Sequence, residues 1–363
     1  MLKFALAGLL TLGALAAADH GFVYKEPGRF GGWPANHGMW SWGNEMVVGF
    51  EAGYFRDTAQ GHAIDYTKPA EHVLARSTDG GKTWSLERPA GLKPPPGVKV
   101  AGVPTGPDGL PLKDSPGGFD FTQPGFALTA RMESHQGGQS RFYVSNDKGR
   151  SWQGPFRLPD FGQQHGTAAR TDYLVNGKHD MTMFITVAKS NGREGRVMAV
   201  RTRDGAKTWT MESFVTPEPE GNDYAIMPSS VRLKNGSIIT SVRYRKYIEI
   251  YRSDDDAKTW RSLGQAVNTL SGNPPSMLQL KDGRIALTYG HRAAPAFGIR
   301  AKISSDEGKT WGEEIILRDD GGNWDLGYPR TVQRPDGKLV TVYYYNTAAN
   351  AERFIGYTIW DAK

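Results

Sequence analysis

The amino-acid sequence predicts an all-β fold, a six-bladed β-propeller with four-stranded antiparallel blades and a recurring tight turn. Two observations lead to this prediction. An octapeptide recurs five times at intervals of about one blade, and alternating apolar residues flank Asn-Gly or Asp-Gly pairs between the copies. The 363-residue chain has no cysteine, so disulfides and thiolate metal sites are excluded and its stability must come from packing.

The octapeptide itself predicts the tight turn. Its five copies read STDGGKTW (77–84), SNDKGRSW (145–152), TRDGAKTW (202–209), SDDDAKTW (253–260) and SSDEGKTW (304–311). Their tryptophans lie 68, 57, 51 and 51 residues apart, the length of a four-stranded blade with a variable loop. The third-position aspartate can accept hydrogen bonds from turn amides, and glycine at the fifth position can adopt the left-handed conformation. Because Ala206 and Ala257 replace that glycine, their two turns are expected to be strained or differently shaped.

β-Hairpins are predicted between the octapeptides. The segments that begin at Ser230, Met277 and Thr331 alternate apolar residues on both sides of an Asn-Gly or Asp-Gly turn. The last unit, 328–360, is one strand short, and residues 21–25 could supply that strand by pairing the two ends of the chain. Residues 88–119 are rich in Pro and Gly and predict a long loop, either a lid over the propeller mouth or a solvated excursion.

The N-terminus predicts export. The apolar run from Phe4 to Ala18 ends in small residues, follows Lys3, and is shorter than the roughly 20 residues of a membrane span. We therefore expect a signal peptide at 1–18, a single propeller domain at 19–363, a secreted or periplasmic location, and no membrane association after cleavage. The 44 basic and 38 acidic residues are scattered, which argues against nucleic acid as a partner. We expect a monomer without cofactor, and the histidine spacing does not indicate a metal site.

The octapeptides are Asp boxes, and with the last-blade pattern described next they make the whole mature chain resemble the sialidase (neuraminidase) superfamily. The resemblance implies an exo-acting glycoside hydrolase that removes a terminal acidic sugar, such as sialic acid, from a glycan. It also implies a site on the propeller axis, with three arginines that hold the sugar carboxylate, a tyrosine nucleophile assisted by a glutamate, and an aspartate acid/base. Guanidinium groups suit this role because they bind carboxylates bidentately.

The last blade matches the nucleophile position of the superfamily. In the segment GYPRTVQRPDG, Tyr328 lies eight residues before Asp336, as the family's tyrosine lies before its Asp-Gly turn. The resemblance therefore implies that Tyr328 is the nucleophile. Arg330 follows two residues later on the same face of the predicted strand, so it is a further candidate for substrate binding.

The resemblance also implies the arginines and the acid/base. Arg29 precedes the first inner strand, Arg243 ends the strand after the fourth-blade Asn-Gly turn, and either Arg292 or Arg300 precedes the fifth Asp box, with Arg292 favoured. The segment GYFRDTAQGHAID resembles the acid/base loop. Its candidate residues are Arg56 for substrate binding and Asp57 or Asp65 as the proton donor.

Two departures from the family pattern affect the mechanism. The position of the activating glutamate falls near Met227, and the nearest upstream acidic residues are Asp223 and Glu220. The glutamate expected on the last strand is replaced by Tyr344. The nucleophile therefore has no evident assisting carboxylate in the sequence.

Two further segments favour a different chemistry. GGWPANHGMWSWG contains Trp33 and His37, and QQHGTAARTDY contains His165 and Arg170; both precede inner strands and should open onto one mouth. Tryptophan can stack on sugar rings and histidine can act as acid or base near neutral pH. They resemble propeller enzymes that cleave rhamnose-glucuronate linkages with a catalytic histidine. A His-dependent glycosidase or lyase is therefore one alternative, and a non-catalytic glycan-binding propeller is the other.

Overall fold

The computed structural model describes residues 19–100, 103–104, 107–268 and 273–362, so the predicted signal peptide lies outside the described residues. Strand β1 (Asp19–Tyr24) is followed by the first sheet. This sheet contains β2 (Arg29–Gly32), β3 (Met39–Trp42), β4 (Glu45–Tyr54), β5 (Glu71–Ser77) and β6 (Ser85–Glu87), with helix α1 (Pro34–His37) between β2 and β3. Its order is β2-β4-β5-β6, and β3 also pairs with β4, so α1 interrupts the inner edge of the sheet.

The proline-rich segment after β6 is more structured than the predicted loop. It contains a 3₁₀ turn at Ala90–Leu92 and the short strands β7 (Lys99–Val100) and β8 (Val103–Pro104). Leu92 packs between the first and second sheets, and Gly118 donates its amide to the carbonyl of Asp204. The described part of this segment therefore lies along the outside of the sheets rather than over the central cavity.

The middle of the chain forms three antiparallel sheets. The second sheet consists of β9 (Ala127–Arg131), β10 (Arg141–Ser145) and β11 (Gln153–Arg157). The third consists of β12 (Thr167–Ala168), β13 (Tyr173–Gly177), β14 (Asp180–Ala188), β15 (Glu194–Thr202) and β16 (Thr210–Phe214). The fourth consists of β17 (Ala225–Arg232), β18 (Ile238–Tyr244), β19 (Ile248–Ser253) and β20 (Arg261–Val267).

The last sheet joins the two ends of the described chain. Its strands are β21 (Ser276–Gln279), β22 (Ile285–His291), β23 (Phe297–Ser304), β24 (Ile315–Gly321), β25 (Gly327–Gln333), β26 (Leu339–Thr347) and β27 (Asn350–Trp360), together with β1. Strand β1 pairs antiparallel with β27, as the sequence predicted for residues 21–25. This pairing covers an edge that would otherwise expose free amides and carbonyls.

Contacts between the inner strands arrange the sheets as an all-β propeller. Strand β17 contacts β14, β21 contacts β17, and β25 contacts β21, β3 and α1, while α1 also contacts β9. Most of the hydrophobic clusters lie between neighbouring sheets; one combines Phe50 of β4 with Val342 of β26. Burial between sheet faces therefore supplies the stability that a chain without cysteine needs. Among the described helices, none has the length and apolar character needed to cross a lipid bilayer.

All five octapeptides form the predicted turn at the outer edge of a sheet. In the third copy, Asp204 accepts hydrogen bonds from the amides of Lys207 and Thr208 at 3.0 Å and from the hydroxyl of Thr202 at 2.9 Å. Although partial burial opposes ionisation, these bonds and the one from the Thr208 hydroxyl lower the pKa of Asp204 to about 2. All of these hydrogen bonds lie within the turn, so the role of Asp204 is structural.

The alanine-containing turns keep the shape of the others. Ala206 and Ala257 have φ values of 70° and 68°, and the corresponding Gly81 has a φ of 88°. Of the two expected alternatives, the structure therefore shows strain without a different shape, because the left-handed conformation costs a residue with a Cβ roughly 1–2 kcal/mol.

We expect Asp204→Ala to lower the free energy of unfolding by about 1–2 kcal/mol, as the loss of other capping side chains does. The measurement is urea denaturation, with the exposed Asp319→Ala as control. Since Asp204 lies away from the central cavity, any activity of the folded variant should match that of the parent. If Asp204→Ala and Asp319→Ala lowered the free energy of unfolding equally, the structural role of the Asp box would be contradicted.

Candidate functional site

Inner strands and their loops surround a central cavity of about 420 Å³. Its lining is rich in aromatic and charged side chains. The lining residues are Trp33, Asn36, His62, Tyr66, Met132, His135, Arg170, Glu194, Tyr224, Ile226, Arg243 and Tyr328. This combination of flat rings with a few oriented polar groups suits a sugar, which presents both apolar faces and hydroxyl groups.

Tyr328 and Arg243 meet in this cavity. Arg243 donates a hydrogen bond from Nη1 to the Tyr328 hydroxyl at 3.1 Å and another from Nη2 to the Tyr224 hydroxyl at 3.2 Å. Tyr328 is 9% exposed, so its ring is fixed while its oxygen reaches the cavity. A guanidinium in this position can stabilise negative charge that develops on a bound group nearby.

Arg292 lies near the same tyrosine. Its guanidinium carbon is 5.3 Å from the centre of the Tyr328 ring, and its Nη2 donates to the Tyr344 hydroxyl at 2.8 Å. Arg300, the other candidate, is on strand β23, where its Nε is 3.3 Å from Glu314. The structure therefore brings Arg292, and not Arg300, beside Arg243 and Tyr328.

Three strained backbone positions lie in or beside the residues that form the cavity. Trp33, Met227 and Tyr328 have φ values of 57°, 52° and 51°, and each precedes a proline. A residue before proline normally adopts an extended conformation with negative φ, so these positions are strained. Such strain persists where the surrounding structure enforces it, and it is concentrated at functional sites.

The same strain corrects the expectation for Arg330. The register of β25 against β26 shifts between Gly327 and Arg330, so the alternation of side chains is interrupted after Tyr328. Arg330 instead donates to the carbonyl oxygens of Ala35 and Thr171. It ties inner elements of three sheets together and does not line the central cavity.

His62 brings a supported imidazole to the cavity. Its Nδ1 is 2.5 Å from Oδ1 of Asp325, a carboxylate that also accepts hydrogen bonds from the Tyr344 hydroxyl at 2.8 Å, the Ala63 amide at 2.9 Å and Arg353 Nε at 2.9 Å. Burial opposes ionisation of Asp325, but its hydrogen bond with His62 and the charges of His62 and Arg353 lower the pKa of Asp325 well below its usual value. The ionised carboxylate fixes the ring, as in catalytic His-Asp pairs.

The loop between β4 and β5 therefore reaches the site through residues other than those predicted. Asp57 and Arg56 are exposed, and Asp65 accepts hydrogen bonds from the amide and hydroxyl of Thr67 at 3.0 and 2.6 Å. These three residues do not line the cavity, whereas His62 and Tyr66 of the same loop do.

Arg170 lines the cavity as expected and is paired with a carboxylate. Its Nη2 is 2.7 Å from Glu194, and its Nε donates to Asn36 Oδ1 at 3.1 Å. His165 is exposed at the side of Gly192 and does not line the cavity. No motif in the sequence marks Glu194, which begins strand β15, so its place in the cavity lining could not be predicted.

Arg29 is also placed elsewhere. Its Nη2 is 3.3 Å from Glu71, and its guanidinium stacks 4.3 Å from the centre of the Tyr54 ring. The expected convergence of Arg29, Arg243 and Arg292 is therefore wrong for Arg29, because β2 carries it to the end of the sheet away from Trp33. Arg170 and Arg243 line the cavity, and Arg292 lies beside Tyr328.

His37 lies beneath the cavity rather than in its lining. It is 1% exposed at the end of α1, and its Nε2 is 3.4 Å from Oε2 of Glu51. Burial, with the nearby charge of Arg131, holds the pKa of His37 well below its usual value. Trp33, on the same segment, does line the cavity, and its ring meets that of His62 with centroids 5.2 Å apart.

Comparison with known proteins agrees with the propeller fold. The solved structure of a protein of unknown function from Dyadobacter fermentans DSM 18053 matches with a TM-score of 0.70 and 21% identity over 94% of this chain and 97% of that one. The GH93 α-L-arabinofuranosidase of Fusarium graminearum matches with a TM-score of 0.61 and 15% identity, covering 96% and 98%. The Trypanosoma rangeli sialidase matches with a TM-score of 0.58 and 14% identity, covering 95% of this chain and 59% of that one.

No curated protein matches the sequence. Residues 126–341, more than half of the chain, match the BNR repeat-like domain family. The chain therefore belongs to the BNR repeat-like domain family.

Proposed function

We propose that this protein is an exo-acting glycoside hydrolase that removes a terminal acidic sugar, sialic acid or a similar one, from a glycan. The observation that carries the proposal is the contact between the Tyr328 hydroxyl and Arg243 at 3.1 Å in a cavity that His62 also lines. A nucleophile, a cationic group and a proton-transfer group then face one sugar-sized space. The glycosidases among the structural neighbours support the general reaction class.

The acidic sugar is proposed from the arginines. Arg243 and Arg292 lie near Tyr328, with their guanidinium carbons 5.7 and 5.3 Å from the centre of its ring. A sugar carboxylate held by these groups would place the adjacent anomeric carbon near the phenol oxygen. Trp33 and Tyr66 offer aromatic surfaces for the rest of the ring, and burial with the charge of Asp325 raises the pKa of Tyr66 to about 12, so its phenol stays neutral.

The proposed reaction has two steps. The Tyr328 oxygen attacks the anomeric carbon and loses its proton to solvent in the cavity, while His62 donates a proton to the departing glycosidic oxygen. Water then attacks the anomeric carbon as neutral His62 removes a proton from it. The bond between that carbon and the Tyr328 oxygen breaks, and the phenol regains a proton from solvent. Asp325 orients His62 throughout, so it is a positioning residue.

A His-dependent glycosidase or lyase that acts on a uronate-bearing glycan is the second candidate. It is favoured by one observation: no carboxylate of the described residues is within hydrogen-bonding distance of the Tyr328 hydroxyl, whereas His62 has its own carboxylate at 2.5 Å. In this mechanism His62 is the central acid or base, in place of the His37 considered from the sequence. A non-catalytic glycan-binding propeller would use the same cavity without a chemical step.

A substrate panel tests the function. The purified chain is incubated with sialosides, uronate-capped oligosaccharides and arabino-oligosaccharides, and products are identified by mass and ultraviolet absorbance. Release of a free acidic monosaccharide is the expected result. An unsaturated uronate, which absorbs in the ultraviolet, would identify a lyase instead. Binding without any product would leave only the glycan-binding candidate.

Arg243 gives a direct test of acidic-sugar recognition. We expect Arg243→Ala to weaken binding of a free acidic sugar by about 2–3 kcal/mol, because charge-assisted contacts in a partly buried site are lost. Calorimetric titration measures the effect, and Arg245→Ala, which removes a guanidinium 4.8 Å from the Tyr224 ring outside the cavity lining, is the matched control. Unchanged affinity in Arg243→Ala would reject the proposed binding mode.

We also infer the architecture and location of the mature protein. The eight-stranded sheet is joined across its middle by the single pair Gly321 and Thr347, so we count it as two blades and the whole propeller as six. Residues 19–363 then form one exported domain, expected to be a monomer, after removal of a signal peptide at 1–18. Sequencing the N-terminus of the protein recovered from culture medium or periplasm tests the export and cleavage.

A further inference from the structure

A second polar cluster lies inside the propeller, apart from the proposed reaction. It consists of His37, Glu51 and His72, whose nitrogen and oxygen ligand atoms lie within 4.8 Å of one another. The three residues are 1%, 1% and 8% exposed. The proposed hydrolysis uses none of them.

The fold brings these residues together by two simple means. Glu51 and His72 are directly paired across β4 and β5, so their side chains lie on the same face of the sheet. His37 reaches them from α1 because Gly49 has no side chain; a Cβ there would be 2.8 Å from the Cβ of His37. The rings of His37 and His72 are 5.1 Å apart and inclined by 70°.

The polar atoms of the cluster need partners. His37 Nδ1, Glu51 Oε1 and both ring nitrogens of His72 are buried and have no hydrogen-bond partner among the described residues. Since nearly all buried polar groups in proteins are satisfied, several such atoms facing one another point to something that binds between them. Two imidazoles and one carboxylate form a ligand set that divalent transition metals prefer.

A small void lies beside the cluster, next to the central cavity. His37, Glu51 and Arg131 line a void of about 10 Å³, which is large enough for one small species and too small for a sugar. Asn36, Met132 and Arg170 line both this void and the central cavity, so the two lie next to each other. Arg131 opposes a cation, so the charge of Glu51 is essential to any such site.

We propose that His37, Glu51 and His72 bind one divalent transition-metal ion, tested here as Zn²⁺, in the interior of the propeller. The ion links α1 to strands β4 and β5 and thereby supports the floor of the central cavity. Its role is structural, and the hydrolytic steps proposed above do not require it. The two proposals can therefore fail separately.

The test is direct metal analysis of the full chain. Protein stripped with a chelator is titrated with Zn²⁺ by calorimetry, its metal content is measured after gel filtration, and its thermal unfolding is followed with and without Zn²⁺. We expect one Zn²⁺ per chain and a higher unfolding temperature with the metal, because an ion that binds only the folded state stabilises it.

Substitutions test which residues bind the ion. Substitution of residues that only orient metal ligands lowers metal affinity by about 10- to 100-fold. Loss of a ligand itself should cost at least as much, so we expect His72→Ala and Glu51→Gln to weaken Zn²⁺ binding by at least about 100-fold. His165→Ala, which removes an exposed histidine, should bind Zn²⁺ like the parent. Co²⁺ bound to the unmodified chain should give the visible absorption bands of an ion with nitrogen and oxygen ligands. This measurement needs no variant, so its result does not depend on how well the variants fold. Absence of bound Zn²⁺ in the parent, or equal binding in His72→Ala and the parent, would overturn the proposal.

Discussion

Replacing Tyr328 with phenylalanine is expected to lower kcat by at least about a thousandfold, because the substitution removes the attacking oxygen. The ring remains in place, packed 5.7 Å from that of Tyr344, so the shape of the cavity is kept. KM should change much less than kcat, since the charges of Arg243 and Arg292 are retained. Steady-state kinetics on the substrate found in the panel measures both parameters.

Tyr224→Phe is the matched control for this prediction. Tyr224 lines the same cavity, and its hydroxyl accepts a hydrogen bond from the same Arg243 at 3.2 Å. Both variants therefore lose one phenol oxygen next to one guanidinium, but only Tyr328 carries the proposed covalent bond. If Tyr328→Phe were no less active than Tyr224→Phe, Tyr328 would not be the nucleophile and the His-dependent mechanism would take its place.

We expect His62→Ala to lower kcat by about 10²- to 10⁴-fold, the range typical of a lost general acid or base. His62 is the proposed donor of the proton that the departing glycosidic oxygen receives, so its loss should slow the first step. With an aryl glycoside as substrate, the leaving group departs without a proton. The His62→Ala variant should then recover most of the lost rate of the first step.

His135→Ala is the control for His62→Ala, because His135 is a second histidine that lines the cavity and takes no part in the proposed proton transfers. Asp325→Asn tests the positioning role separately. It should reduce kcat and alter the pH profile while leaving KM nearly unchanged, since Asp325 is fully buried behind His62. A loss confined to stability, with a parental pH profile in the folded fraction, would show that Asp325 only maintains the fold.

Much of the fold could be predicted because its signals are local. Asp204 bonds to groups no more than four residues away, so the octapeptide contains its own turn. The hairpins from Ser230, Met277 and Thr331 depend on alternation and on the turn between two adjacent strands, and the structure confirms them as β17–β18, β21–β22 and β25–β26. The pairing of β1 with β27 could be predicted from the sequence because the last unit lacks one strand.

The site was less predictable because alternation along a strand does not hold at strained positions. Arg330 was expected beside Tyr328 from period-two reasoning, but the shifted register of β25 sends it to the carbonyls of Ala35 and Thr171. The loop after β4 resembles the acid/base loop in sequence, yet its irregular path presents His62 and Tyr66 to the cavity rather than Asp57 and Asp65. Loop side-chain directions have no period from which they can be inferred.

By itself, the sequence determined the repeating turns, the hairpins and the positions of Tyr328 and Arg243 at strand ends, because each depends on residues close together in the chain. Tertiary structure alone decided which groups meet. His62 and Asp325 are separated by 263 residues yet lie 2.5 Å apart, and Glu51 and His72 face each other through the register of β4 with β5. Such partnerships arise from the closure of the ring and the register of its strands, which bring distant chain segments to one axis.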